Sequence, residues 1–182
     1  MADWDERFAR GDELHGGLPS PPLPQAVSGL GPGIALDLAS GAGRHSIFLA
    51  ERGWRVHAID SSRVGVQRML DEAHRRGVSD HIEAEVADLE APGFVLGREY
   101  DLVCDFYFLH RPLFQQIRNA VRAGGLFVAA IHVGSGRFLL EPGELRKIAE
   151  SWGFIIRHYR EGETAESDHR HPTAELIATP PR

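Results

Sequence analysis

The chain has 182 residues, 42% of them hydrophobic and 25% charged, the balance of a folded globular protein. With 20 Lys plus Arg against 26 Asp plus Glu the formal charge is −6, a sign that repels nucleic-acid phosphates; the densest basic stretch, His74–Arg76, reads as a helix end where cations suit the dipole. No apolar run approaches the roughly 18 residues needed to span a bilayer, and MADWDERFARGD lacks the apolar centre of a secretory signal, so the expectation is a cytoplasmic protein with no membrane and no nucleic-acid partner.

Residues 1–10 are expected to form a short amphipathic helix, with Trp4 and Phe8 four apart on one face. The stretch GGLPSPPLPQ (Gly16–Gln25) is rich in proline and glycine and reads as loop, with one short helix before GLGPG. Together residues 1–32 are a candidate lid on a domain spanning 33–182. From Gly33 the chain alternates. GIALDL reads as a buried strand, 43–53 as a helix closed by Gly53, WRVHAID as a second strand, and 62–76 as a helix closed by Gly77. HIEAEVAD and YDLVCDF follow as strands three and four, the latter enclosing the one cysteine, Cys104, as a small core residue. A helix over 112–122 opens with Pro112, GGLFVAAIHV is the fifth strand, and EPGELRKIAESWG is a helix. FIIRHYREGE and TAELIATP end the chain as an antiparallel hairpin around SDHRHP, whose histidines lie two apart with no cysteine and read as an exposed tip rather than a metal site. Alternating apolar strands and helices predict one α/β, Rossmann-like doubly wound sheet, mostly parallel, with a C-terminal antiparallel hairpin strand.

In such a sheet ligands bind beyond the carboxyl ends of the strands, where strand order reverses. The first strand ends in Asp37, Ala39, Ser40, Gly41, Ala42 and Gly43; the second ends in Asp60 and the third in Asp88. A plain strand-to-helix turn and helix capping are the competing readings, but three strand-end acids beside a glycine loop exceed what capping needs. GAGRHS approaches the dinucleotide pattern G-x-G-x-x-G, with Asp60 at about the expected separation of ~20 residues. The third glycine is Ser46, however, and Asp37 would face and repel a pyrophosphate. A phosphate-free ligand with a cationic end suits the acids better, and S-adenosylmethionine is such a molecule.

LDLASGAGRHSIFLAERGWRVHAID resembles motif I of the class I S-adenosylmethionine-dependent methyltransferases. Within them WDERFARGD, VADLE, YFLHRPLF and LLEPGELRKIAESWGF are similar to the small tellurite-resistance-type and thiopurine-type group. The resemblance implies that Asp37 orients the cofactor ammonium through water and that the backbone of Ala39, Ser40, Gly41 and Gly43 lines the cofactor. It further implies that Asp60, with Ser61 beside it, takes the ribose hydroxyls, Asp88 the adenine amine, the Leu89 amide a ring nitrogen, and the carbonyls around Asp105–Phe106 the methionyl group. Ala39 and Ser40 replace the glycine and cysteine frequent in the family, a mild change provided that Ala39 keeps a negative φ.

Methyl transfer is an in-line displacement, so the protein must align the reactants and exclude water. Tyr107, His110 and Arg111 follow the fourth strand and are the candidate catalytic residues, with a polar lead-in to the next helix as the competing reading for His110 and Arg111. Trp4, Phe8 and His132 are candidates for the substrate side, and Arg44 for pairing with the cofactor carboxylate or an anionic substrate. No metal site is expected. The acceptor is expected to be a small molecule, since the run after strand four lacks the Asn/Asp-Pro-Pro-Tyr clamp of base methylation; oligomeric state is left open. A nicotinamide-dependent oxidoreductase and a non-catalytic S-adenosylmethionine-binding protein are the alternatives.

Overall fold

The computed structural model describes residues 4–11, 17–164 and 171–181. Its framework is a seven-stranded sheet: β1 (Ile34–Leu38), β2 (Arg55–Asp60), β3 (Ile82–Val86), β4 (Tyr100–Phe106), β5 (Val121–His132), β6 (Ile155–Gly162) and β7 (Thr173–Thr179). The order is β3-β2-β1-β4-β5-β7-β6; the first five strands are parallel, and β7 lies antiparallel between β5 and β6. This is the expected doubly wound sheet, and its strand order reverses at β1, which pairs with β2 on one side and β4 on the other.

Apolar side chains alternate between the two faces, as strand geometry requires. Leu36, Leu38, Val103, Phe127 and Ile131 pack on one face beneath α5 (Phe114–Ala120) and α6 (Glu144–Ser151). Ala35, Val56, Cys104 and Val128 face α2 (Pro22–Val27), α3 (Arg44–Ala50) and α4 (Arg63–Arg75). Cys104 is fully buried, and burial pushes its thiol well above the usual range, in keeping with a core role. His74–Arg76 do close α4, where Arg75 and Arg76 both pair with Glu72. No described helix is long and apolar enough to cross a membrane.

Several boundaries differ from the sequence reading, and three of them bear on how the site is framed. The proline-rich stretch is not all loop, because Pro22 and Pro24 lie in the first turn of α2, where a missing N–H removes no helical bond. The helix expected over 112–122 is a 3-10 turn at Arg111–Leu113 followed by α5, and Val121 leaves it to pair with Tyr100 as the start of β5. Among the described residues the N-terminal helix spans Trp4–Ala9 (α1) and ends before Arg10, with ring centroids of Trp4 and Phe8 6.1 Å apart; residues 1–3 of the expected 1–10 lie outside the described residues. Of the SDHRHP tip, Ser167–Arg170 lie outside the described residues.

Candidate functional site

The tips of β1, β2 and β4 place three carboxylates around the glycine loop. Asp37 is 1% exposed; its Oδ2 accepts a 2.6 Å hydrogen bond from Ser46 Oγ in the first turn of α3. Its Oδ1 is buried and, among the described residues, accepts no hydrogen bond. Burial pushes the Asp37 carboxyl up to about 7, against the opposing pull of Ser46 and of the Arg44 charge. Asp105, one register step further along the β1–β4 pair, is also 1% exposed with an unpartnered Oδ1, and burial, reinforced by Asp37, holds it well above the ordinary carboxylate range. Buried acceptors without donors are costly, so each oxygen is a place where a donor would be favoured; by the register Asp37 shares the face of Cys104 and Asp105 that of Leu38, one on each side of the sheet.

Asp60 is held differently. Its Oδ2 accepts the Gly41 amide and its Oδ1 the Ser62 amide, both at 2.7 Å. These bonds oppose the upward push of burial on its carboxyl. Asp60 thereby joins the glycine loop to the start of α4, where Ser62 caps the helix by accepting the Gly65 amide. Ser40 is buried and its amide reaches the Ile59 carbonyl, while Ser61 is exposed. Asp88 is exposed, its Oδ1 accepting the Glu90 amide, and Leu89 is buried against the core. Asp37, Ala39, Ser40, Gly41, Gly43, Asp60, Ser61 and Asp105–Phe106 thus share one crest of the sheet, with Asp88 and Leu89 beyond β3.

Backbone strain marks this crest. Gly43 has φ 82°, and a Cβ there would lie 2.2 Å from Met69 Cγ, so the loop can seat against α4 only with glycine. Ala39 has φ 51°, not the negative value that would make its replacement of glycine mild. A left-handed alanine costs roughly 1–2 kcal/mol and glycine's added chain entropy offsets roughly 0.5–1 kcal/mol of the relief, so Ala39→Gly is expected to raise stability by roughly 0.5–1 kcal/mol. Thermal unfolding checks this; a lowered midpoint would contradict it. Tyr107 is the other described non-glycine residue with positive φ, at 62°. It turns its ring to within 4.9 Å of His132, and His132 lies 5.8 Å from His171, one of the SDHRHP histidines read from the sequence as an exposed tip.

Arg44 bridges the other wall. Its Nη1 donates to the Leu18 carbonyl and its Nη2 to Ser20 Oγ, each at 2.9 Å, while its Cζ stands 5.7 Å from the Tyr107 ring centre. Beneath it the buried His45 stacks on Phe106 at 4.0 Å and meets Ser20 Oγ at 3.2 Å, tying the proline loop to the site. His110 leans toward Glu90, Nδ1 to Oε1 3.9 Å. Arg111 does not join Tyr107: its Nε and Nη2 donate to the Glu144 carboxylate at 2.6 and 2.8 Å and its Nη2 to the Leu139 carbonyl, pinning the segment before α6. Phe8 lies against the glycine loop rather than beside Tyr107. Ser46, Ser20, His45 and Asp5 were missed; only Ser46, in the third-glycine position of the near-dinucleotide pattern, left a sequence signal.

The sequence family described as "methyltransferase domain" matches residues 35–125. Hemagglutinin 1 of Eikenella corrodens is 33% identical over 146 residues, which are 72% of this chain and 47% of that protein, so the chain spans about half of its length. Among solved structures, TehB from Haemophilus influenzae superposes with a TM-score of 0.75 at 18% identity, covering 98% of this chain and 67% of TehB. The 1,6-didemethyltoxoflavin-N1-methyltransferase of Burkholderia thailandensis, solved with 1,6-didemethyltoxoflavin and S-adenosylhomocysteine, gives 0.70 at 17% identity, covering 98% and 86%. These two likenesses concern the fold.

Proposed function

The chain belongs to the methyltransferase-domain family, and from that premise we propose that it is an S-adenosylmethionine-dependent methyltransferase acting on a small-molecule acceptor. The observation that carries the reading is the orphaned carboxylate oxygen Asp37 Oδ1 beside the glycine loop at the end of β1. A pyrophosphate placed there would meet a buried acid, whereas an ammonium supplies the missing donor. This fit favours the phosphate-free cofactor over a nicotinamide dinucleotide. A superposable structure solved with S-adenosylhomocysteine supports the same choice.

In this reading Asp37, held by Ser46, orients the amino acid end, and Asp105–Phe106 border it. Asp60 accepts from the ribose hydroxyls beside Ser61, and Asp88 with the Leu89 amide receives the adenine. When bound, the cofactor supplies a methyl group already activated by its sulfonium. The chain's own work is then alignment and exclusion of water. Tyr107, held by strain at the edge of the cleft, and His132 line the acceptor side; an imidazole there serves as the base for an oxygen or nitrogen nucleophile. His110, in the segment after β4, borders this side next to Glu90 of the β3–β4 segment. Arg44 limits the cleft and offers positive charge to a carboxylate, and Trp4 stands at the rim of α1. Arg111 has a structural place in the reading, clamping Glu144.

The experiment is a transfer assay with methyl-labelled cofactor against thiols, selenite, tellurite, phenols and amines. Label is expected in one small-molecule class and not in nucleic acid. Cofactor binding with no transfer to any class would favour the non-catalytic reading.

A further inference from the structure

Gly65 raises a question that neither the fold nor the proposed chemistry answers. It lies inside α4, where glycine costs of order 1 kcal/mol relative to alanine, and it has no positive φ to justify it. The reason is Phe8. A Cβ on Gly65 would stand 3.0 Å from Phe8 Cδ2 and Cε2, and a Cβ on Gly41 would stand 2.9 Å from Phe8 Cζ. Two glycines, one from the cofactor loop and one from α4, make a socket for a single ring.

The socket sits on the junction that Asp60 spans, since the Asp60 carboxylate accepts from Gly41 on one side and Ser62 on the other. The helix that carries Phe8 is fixed to this junction by polar contacts as well. Asp5 Oδ1 accepts from Ser62 Oγ at 2.5 Å and from the Val64 amide at 3.1 Å, and Arg68 donates to the Phe8 carbonyl at 2.8 Å. Ser62 therefore gives its amide to Asp60 and its hydroxyl to Asp5. The two carboxylates are close enough that Asp5 pushes the Asp60 carboxyl up. Yet α1 has six residues and buries none of them, so contacts of this kind, rather than a buried apolar face, hold it.

We propose that α1 is a detachable clasp over the nucleoside end of the cleft, with Phe8 and Asp5 as cofactor-retaining residues. This rests on the methyltransferase reading above. Phe8 belongs to the cofactor side rather than the acceptor side, and release of the nucleoside requires its ring to leave the glycine socket. Affinity changes within one site fall mainly on the dissociation rate, so that is the quantity to measure.

The experiment follows release of S-adenosylhomocysteine from the full chain. Phe8→Ala is expected to speed release about tenfold with little change in association. Gly65→Ala is expected to do the same without lowering the unfolding midpoint, because alanine favours the helix. A ligand-free readout accompanies it: in Asp5→Ala the Val64 amide, deprived of its acceptor, should exchange hydrogen faster than in wild type. Release unchanged in Phe8→Ala would overturn the clasp, as would an unaltered Val64 amide. Failure of wild type to bind S-adenosylhomocysteine overturns instead the methyltransferase reading and removes the clasp's ligand.

Discussion

Asp60→Ala is expected to weaken S-adenosylhomocysteine binding at least about a hundredfold while leaving the protein folded. The carboxylate would accept two ribose hydroxyls, and hydrogen bonds to a charged group are worth roughly 1.5–3 kcal/mol each, so losing them accounts for a factor of this size. Its removal also frees the Gly41 and Ser62 amides, which it now holds at 2.7 Å. The loss of order should therefore show in the glycine loop rather than across the sheet. Asp60→Asn keeps one acceptor oxygen and should fall between the two. Calorimetry reads the affinity and thermal unfolding the fold; unchanged affinity in Asp60→Ala would remove it from the ribose role.

The second large effect concerns Asp37 and runs in opposite directions for stability and binding. Burial raises its carboxyl from 3.8 to about 7, so the folded state binds this proton more tightly than the unfolded chain does. The contribution to stability is therefore fully present below about pH 4 and is lost as pH rises through about 7. Asp37→Asn removes that loss, keeps an acceptor for Ser46, and is expected to stabilise the protein at pH 8 by of order 1 kcal/mol or more. Binding goes the other way. A cationic ligand needs the ionised carboxylate, so affinity for S-adenosylmethionine should be flat above pH 7 and fall toward tenfold per unit below it, with proton uptake by Asp37 competing. Asp37→Asn should bind weakly and lose this slope. Calorimetry between pH 5.5 and pH 8.5 (a range chosen to bracket about 7) checks both. A slope that survives the substitution would assign the titration to another group.

The sheet was legible because its strands are short, apolar and bounded by glycine. YDLVCDF coincides with β4, and Gly53 and Gly77 both follow their helices with positive φ. What misled the reading were local signals overruled by pairing. Pro112 suits a helix start, but the helix could not run to 122 once Val121 paired with Tyr100 across the sheet. Strand-end acids at Asp37 and Asp60 were visible in the sequence, since position along a strand follows from its pattern. Their different partners were not. That Ser46 holds Asp37, whereas two backbone amides hold Asp60, depends on where α3 and α4 begin in space. The sign of φ at Ala39 likewise depends on how the loop closes over the Ile59 carbonyl, which the Ser40 amide meets at 3.0 Å. Arg111 shows the same limit, since Glu144, its partner, is 33 residues away in sequence.

The central claim is that buried acids fringe the crevice because its occupant is cationic and free of phosphate. Paired calorimetric titrations of the wild-type chain with S-adenosylmethionine and with NADH, at one pH and salt concentration, test it most directly. The account expects a dissociation constant of about micromolar order for the first and no measurable heat of binding for the second. Saturable binding of NADH, with none of S-adenosylmethionine, would contradict it.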